Sequence, residues 1–169
     1  LNELDRHLVP LLDGTNDATP ITPAALVTFA LLDNDGRAMT LAETLGVLAP
    51  LLDYVRDRGL PLTSDVDLGR PEGLQRALRT LVREGVVEEY VGGVEPVYAI
   101  PRERAHEAGF YRNTVTHYFV TRAIVEVAGV QSQGSGADKT GEEDLTADLW
   151  EHALALRDLL KYEFFFATK

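Results

Sequence analysis

Residues 110–119, Phe-Tyr-Arg-Asn-Thr-Val-Thr-His-Tyr-Phe, hold the densest group of side chains that could bind a ligand. The guanidinium of Arg112 can pair with a phosphate or a carboxylate, and the amide of Asn113 offers both donors and an acceptor. His117 follows Asn113 by four residues, so a helix would place both side chains on one face, one turn apart. The alternative is that the aromatic rings belong to the core and the polar groups satisfy one another. This packing role is favoured, because no second half of a site is visible; the candidate function of the segment is a substrate- or phosphate-binding site formed by Tyr111, Arg112, Asn113 and His117.

The remaining sequence offers no catalytic constellation. The chain has no cysteine, which removes thiolate nucleophiles, cysteine-based zinc sites and disulfides. It has no Gly-x-Ser-x-Gly, no Walker loop and no Gly-x-Gly-x-x-Gly. The histidines include no His-x3-His pair that could hold a metal from one helix; they are His7, His106, His117 and His152. We therefore expect no catalytic residue, no metal and no cofactor in this chain.

The charge balance disfavours nucleic acid as a partner. The net charge is −11, from 27 acidic and 16 basic residues, and phosphate contacts supply most non-specific affinity for DNA. One basic stripe exists, because Arg76, Arg79 and Arg83 fall on one face of a predicted helix. Acidic residues surround it, namely Glu72, Glu84, Glu88, Glu89 and Glu95. A solvated face or a contact for a neighbouring domain is favoured, and a nucleic-acid-binding module is the alternative.

The two ends of the chain suggest contacts outside it. The chain opens on Leu1 rather than methionine, which suggests a fragment or a processed chain. No signal peptide is visible, and the longest apolar runs fall far short of the ~18–20 residues that span a bilayer. Three consecutive aromatic residues on a helix cover about 200° of its circumference, so one face cannot hide them all. We expect Phe164, Phe165 and Phe166 to contact another domain or a membrane surface.

Local signals predict helices through the first half of the chain. Residues 1–12 place leucines at helical spacing. Thr22 followed by proline is the N-cap and first-turn signature of a helix over residues 23–32. Thr40 with Glu43 three residues later is a capping box that opens the next helix.

That helix is expected to run to Arg58, with a kink or a division at Pro50. A third helix is predicted over residues 71–85, between a proline at its start and a glycine at its end. The pattern then changes to a period of two, and residues 86–91 and 96–100 flank a Gly-Gly turn. This arrangement predicts a β-hairpin.

Three helices followed by a hairpin is the order of a winged-helix domain. The predicted fold is mostly α with a small β-hairpin (α+β). A winged-helix-like helical unit over residues 1–101 is followed by a C-terminal helical pair over residues 102–169. This pair comprises a long helix over residues 102–129, a flexible loop over residues 131–141 and a last helix beginning near residues 142–145.

Several stretches of the sequence together resemble a known family. They are residues 18–27, 50–55, 81–87, 95–101, 110–113 with His117, and 156–166. In this order they are similar to the segment that follows the acyltransferase domain in actinobacterial glycerol-3-phosphate acyltransferases of the PlsB type. Tyr111-Arg112-Asn113 looks like the Tyr-Arg-Asn motif of that family.

The resemblance implies a parent enzyme that transfers an acyl group from acyl-CoA or acyl-carrier protein to the 1-hydroxyl of glycerol 3-phosphate. This is the first step of phospholipid synthesis, carried out at the cytoplasmic, inner face of the plasma membrane. The resemblance also implies catalysis by a His-x4-Asp pair, in which the histidine takes the hydroxyl proton and the carboxylate orients the ring.

The His-x4-Asp pattern is absent from this chain. The residues five places after the four histidines are Leu12, Tyr111, Arg122 and Arg157. We therefore expect the chain alone to be inactive, although its parent is an enzyme. Its expected role is to pack on the catalytic domain of the same protein, with peripheral membrane contact through that protein.

Overall fold

The computed structural model describes residues 20–34, 36–63, 67–135, 142–161 and 163. These residues form five α-helices and one three-stranded antiparallel sheet, so the predicted fold class, mostly α with a small β component, is confirmed. In chain order the elements are α1 (Pro23–Leu32), β1 (Met39–Thr40), α2 (Leu41–Asp57), α3 (Pro71–Arg83), β2 (Glu88–Tyr90), β3 (Val97–Ala99), a 3-10 turn (Arg102–Arg104), α4 (Ala105–Ser135) and α5 (Glu142–Leu160). The helix predicted over residues 1–12 lies outside the described residues.

Side-chain caps begin the first two helices, as predicted. The hydroxyl of Thr22 accepts a hydrogen bond from the amide of Ala25 at 3.2 Å. At the start of α2, the hydroxyl of Thr40 accepts from the amide of Glu43 at 3.1 Å. The carboxylate of Glu43 in turn accepts from the amide of Thr40 at 2.7 Å. These bonds satisfy amide groups that have no partner within the helix.

Glycines in the left-handed conformation end α2 and α3. Gly59 has φ +61° and Gly85 has φ +74°. Residues with a Cβ atom adopt this backbone region only at a steric cost in free energy, which glycine avoids. Just past α2, the amide of Leu60 reaches back to the carbonyl of Val55 at 2.9 Å. This bond completes a glycine C-cap and turns the chain away from the helix.

α2 continues as one helix through Pro50, so the division that the sequence allowed there does not occur. Proline leaves the carbonyl of Gly46 without its helical donor, which costs stability. Leu48, Leu52 and Val55 lie on both sides of the proline and are buried. Their burial stabilises both halves of the helix against the same core, which offsets the missing bond.

The predicted hairpin is confirmed, and a third strand joins it. β2 and β3 pair antiparallel, with Glu88 opposite Ala99 and Tyr90 opposite Val97. β1 adds to the other side of β3, so the strand order is β1-β3-β2 and β2 lies at an edge. Two residues are too short to show a period, which is why the sequence pattern missed β1.

The core of the first half surrounds α1. This helix is apolar on every side, and Ala25, Leu26 and Val27 are fully buried. α2 and α3 pack on it. The largest fully buried aliphatic side chains in the described residues are Ile21, Leu26, Leu31, Leu48, Leu68, Leu74, Leu78 and Leu81. Each leucine or isoleucine of this kind contributes about 1.5–3 kcal/mol on burial.

The contacts divide the described chain into two compact units. The first unit ends at Val115 and the second unit begins at Thr116, so the boundary lies within α4. In the second unit, Ile124 and Ala128 of α4 pack with Leu149 of α5 in a cluster of buried residues. The domain boundary predicted between residues 101 and 102 stays a prediction.

α4 is longer than the sequence predicted. It was expected to end at residue 129, before a loop over residues 131–141, but it reaches Ser135. Glutamine is a good helix former, and Gln131 and Gln133 lie in this stretch. The loop was predicted because glycine and serine residues surround them. Residues 136–141 lie outside the described residues.

Two glycines in helices should respond in opposite ways to alanine. A Cβ atom on Gly73 would collide with the backbone carbonyl of Asp67, whereas a Cβ atom on Gly46 would meet nothing within 4 Å. We expect Gly73→Ala to lower the free energy of unfolding by about 2 kcal/mol or more. Gly46→Ala should raise it by about 0.5–1 kcal/mol, because glycine is the more flexible residue in the unfolded chain. Urea unfolding followed by circular dichroism measures both, and equal effects would contradict this packing.

The capping box should make stability depend on acidity. Hydrogen bonds from the backbone and side chain of Thr40 hold the pKa of Glu43 below its ordinary value of 4.5. Because the folded pKa is the lower one, this stabilisation is fully present above the unfolded value and is lost as pH falls through the folded value. Glu43→Gln should therefore be less stable than wild type at neutral pH and converge with it in acid. A difference in unfolding midpoint that stays constant from pH 7 to about pH 2 would contradict this.

Candidate functional site

Three of the four predicted site residues lie on α4 within the first unit. Both Nε and Nη2 of Arg112 donate to Oδ1 of Asn113, at 3.2 and 3.0 Å. The ring of Tyr111 meets that of Phe110 edge to face, with centroids 6.1 Å apart. Arg112 and Tyr111 are half-buried, whereas Phe110 is 71% exposed. The Arg-Asn pair thus presents a cationic group held in place by its neighbour beside an exposed aromatic ring.

The fourth predicted residue, His117, also lies on α4, but in the part of this helix that belongs to the second unit. Its ring lies against that of Tyr118, with centroids 4.0 Å apart, and its Nε2 atom is buried. Of the predicted set, Arg112 and Asn113 are joined by direct side-chain hydrogen bonds. The four-residue phosphate site stays a prediction.

The basic stripe is present on α3. Arg76, Arg79 and Arg83 are all exposed. Burial and then the hydrogen bond to Glu89 raise the pKa of Tyr98, and the charge of Arg79 opposes this rise. One arginine of the stripe therefore acts electrostatically on a strand residue that is hydrogen-bonded to a carboxylate.

A cleft lies beside β2, within the first unit. Its volume is about 780 Å³, and it is lined by Val82, Gly85, Val87, Glu88, Glu89, Glu103 and Arg104. The phenol of Tyr98 donates to Glu89 at 3.0 Å, and the phenol of Tyr90 donates to Glu88. Sequence reasoning missed this cleft, because the 3-10 turn after the hairpin brings Glu103 beside strand residues that are distant in sequence.

Two phenols beside the cleft are poor acids. The hydrogen bond to Glu88 is the main cause of the raised pKa of Tyr90. For Tyr98, burial is the main cause and the bond to Glu89 adds to it. Both phenols therefore remain protonated donors at neutral pH, and each fixes one carboxylate of the cleft. This arrangement suits a cationic ligand and repels an anionic one.

The remaining features considered in the sequence are metal-binding groups, membrane-spanning helices, His152 and the three C-terminal phenylalanines. Among the described residues, no group of three or more histidine, cysteine or acidic residues is placed to hold a metal ion. No helix in the same part of the chain is long and apolar enough to cross a membrane. Nδ1 of His152 lies 2.7 Å from the carbonyl of Asp148, four residues earlier on α5. Phe164, Phe165 and Phe166 lie outside the described residues.

Comparisons with known proteins agree with the resemblance of the sequence. Residues 10–169 match the model of a family described as the glycerol-3-phosphate acyltransferase C-terminal region. The chain is also 35% identical over 169 residues to proteins named as an acyltransferase, plsB1, from Mycobacterium bovis and from two strains of Mycobacterium tuberculosis.

These alignments cover 99% of the chain but 26% of each relative, so the chain spans about a quarter of the length of the curated relatives it matches. The family match covers all but the first nine residues of the chain. The chain therefore belongs to the glycerol-3-phosphate acyltransferase C-terminal region family.

Proposed function

We propose that this chain is the non-catalytic C-terminal part of a glycerol-3-phosphate 1-O-acyltransferase. The reaction of the parent enzyme is acyl transfer from acyl-CoA or acyl-carrier protein to the 1-hydroxyl of glycerol 3-phosphate. The family match over residues 10–169 carries the proposal, because it covers nearly the whole chain while no histidine is followed at the fifth position by an aspartate. The base that must take the hydroxyl proton then belongs to another part of the parent protein.

The proposed role of the chain is to pack on the catalytic domain of the same polypeptide. The size of the relatives supports this role, because the matched stretch is 26% of their length. Exposed apolar side chains support it as well, since surfaces of this kind often mark interaction sites. The hairpin tip exposes Val91 and Val94, by 71% and 107%, and α4 exposes Phe110 and Val130, by 71% and 72%.

We further propose that the first unit is a winged-helix module used for protein contact. Its element order of helix, strand, two helices and two strands, with the sheet order β1-β3-β2, supports this interpretation. The alternative is nucleic-acid binding through Arg76, Arg79 and Arg83. The net charge of −11 and the exposed carboxylates of Glu88 and Glu89, which follow that stripe closely in sequence, favour protein contact.

Membrane association is proposed through the parent protein, at the cytoplasmic face of the plasma membrane, where its lipid product is needed. The described basic residues from Thr116 onward are Arg122, Arg157 and Lys161. A helix that binds anionic lipid by itself usually carries many basic residues on its polar face. The small number among these described residues favours attachment by way of the catalytic domain over direct adsorption of α5.

The chain should be inactive on its own and necessary in its parent. We expect no turnover above buffer when the purified chain is mixed with glycerol 3-phosphate and acyl-CoA, because the proton acceptor is missing. The full-length parent is the positive control. Deletion of the chain from the parent should lower its soluble yield and its activity. Clear turnover by the chain alone would contradict the proposal.

A second proposal concerns Arg112, as part of the phosphate contact in the parent enzyme. Loss of a charge-assisted hydrogen bond costs about 1.5–3 kcal/mol, so Arg112→Ala should raise the KM for glycerol 3-phosphate by about 10–100-fold. Arg122→Ala is the matched control. Arg122 is another half-buried arginine of α4, and its Nε pairs with Glu126 at 2.7 Å. An unchanged KM in Arg112→Ala, with normal protein yield, would assign Arg112 to packing.

A further inference from the structure

We propose that the cleft beside β2 is the docking site for an extended, positively charged segment of the acyltransferase part of the same polypeptide. This inference rests on the proposed packing function and specifies the surface that performs it. The cleft, the open edge of the sheet and the charge on the cleft walls each support the assignment separately.

The edge of β2 offers backbone groups to a partner strand. In the part of the chain that the structure describes, β2 pairs with β3 on one side, and the strand order leaves its other side at the edge of the sheet. All three residues of β2, Glu88 to Tyr90, are exposed. An exposed edge of this kind pairs readily with an extended peptide, whose backbone supplies the complementary donors and acceptors.

The cleft next to this edge can take side chains of such a peptide. Val82 and Val87 contribute apolar surface to its lining, and Gly85 adds a wall without a side chain. Val87 is almost fully buried, so it is a fixed part of the wall. An added strand would direct alternate side chains toward one face, where they could enter the cleft.

The charges of the cleft select for basic side chains. Glu88, Glu89 and Glu103 line it, and the phenols of Tyr90 and Tyr98 hold the first two in place. Arg104 also lines the cleft. Its guanidinium is paired at 2.8 Å with the carboxylate of Glu107, a residue that does not line the cleft. The cleft thus keeps a net negative charge that attracts arginine or lysine and repels phosphate.

Among the candidate occupants, the acyltransferase part of the parent fits best. A second copy of this chain carries a net charge of −11 and would be repelled, and so would nucleic acid. About three quarters of each relative lies outside the stretch that matches this chain. A segment of the same polypeptide is present at a high effective concentration, so even a short strand and one or two basic side chains can hold it.

Site-specific photo-crosslinking in the full-length parent tests the inference. Benzoylphenylalanine replaces Tyr90, which is 50% exposed on β2, and in a second protein it replaces Phe110, which is 71% exposed on α4. Mass spectrometry then identifies the crosslinked peptides. We expect the probe at position 90 to capture an arginine- or lysine-containing segment that precedes residue 1 in the parent chain.

Charge reversal at the cleft provides the second arm. Glu103 is exposed, lines the cleft and lies outside the strands, so Glu103→Lys should leave the fold intact. We expect this change to lower the crosslink yield at position 90 by about tenfold or more, because like charges then face each other. Asp57→Lys, at the exposed end of α2, makes the same charge change away from the cleft and should leave the yield unchanged.

Each contrary result has a separate meaning. Upstream crosslinks from position 110 but not from position 90 would overturn the cleft assignment and leave the packing function standing. Crosslinks from position 90 to a second copy would overturn the choice of occupant. The absence of upstream crosslinks from both positions would contradict the cleft assignment and the packing function together. Equal yields in Glu103→Lys and Asp57→Lys would overturn the electrostatic part of the inference.

Discussion

The burial of most of α1 is the constraint on which the first unit depends. A helix that is apolar on all sides has no face for solvent, so other elements must surround it. α2 and α3 pack on it, and Ile21, just before the helix, forms a parallel bridge with Leu62 beyond α2. The position of α3 then fixes where the chain can return as a hairpin, and the cleft forms between the end of α3 and β2.

The parts of this fold that sequence predicts well are those decided by neighbours in the chain. A threonine N-cap accepts a hydrogen bond from the amide three residues later, and a left-handed glycine ends the helix just before it. Both effects act within one helical turn. The caps at Thr22 and Thr40 and the ends at Gly59 and Gly85 were therefore predictable. Pro50 shows the opposite case, because its local penalty is outweighed by burial of leucines whose partners are distant in sequence.

The candidate sites divide in the same way. The neighbouring residues Arg112 and Asn113 were expected to act together, and their side chains are hydrogen-bonded. Spacing alone could not indicate that His117 belongs to a different compact unit. The acidic cleft was also unpredictable, since Glu103 reaches it only because β3 and the following turn bring the chain back. An acidic pair on a predicted strand would have suggested a solvated face and nothing more.

The short strand β1 has a consequence for the redox chemistry of the chain. Met39, which pairs with Tyr98 in the sheet, carries the only sulfur atom of all 169 residues, because the chain has one methionine and no cysteine. Its side chain is 4% exposed. An oxidant can therefore reach sulfur only where β1 separates from its surroundings, and sulfoxide at this residue would record how often that opening occurs.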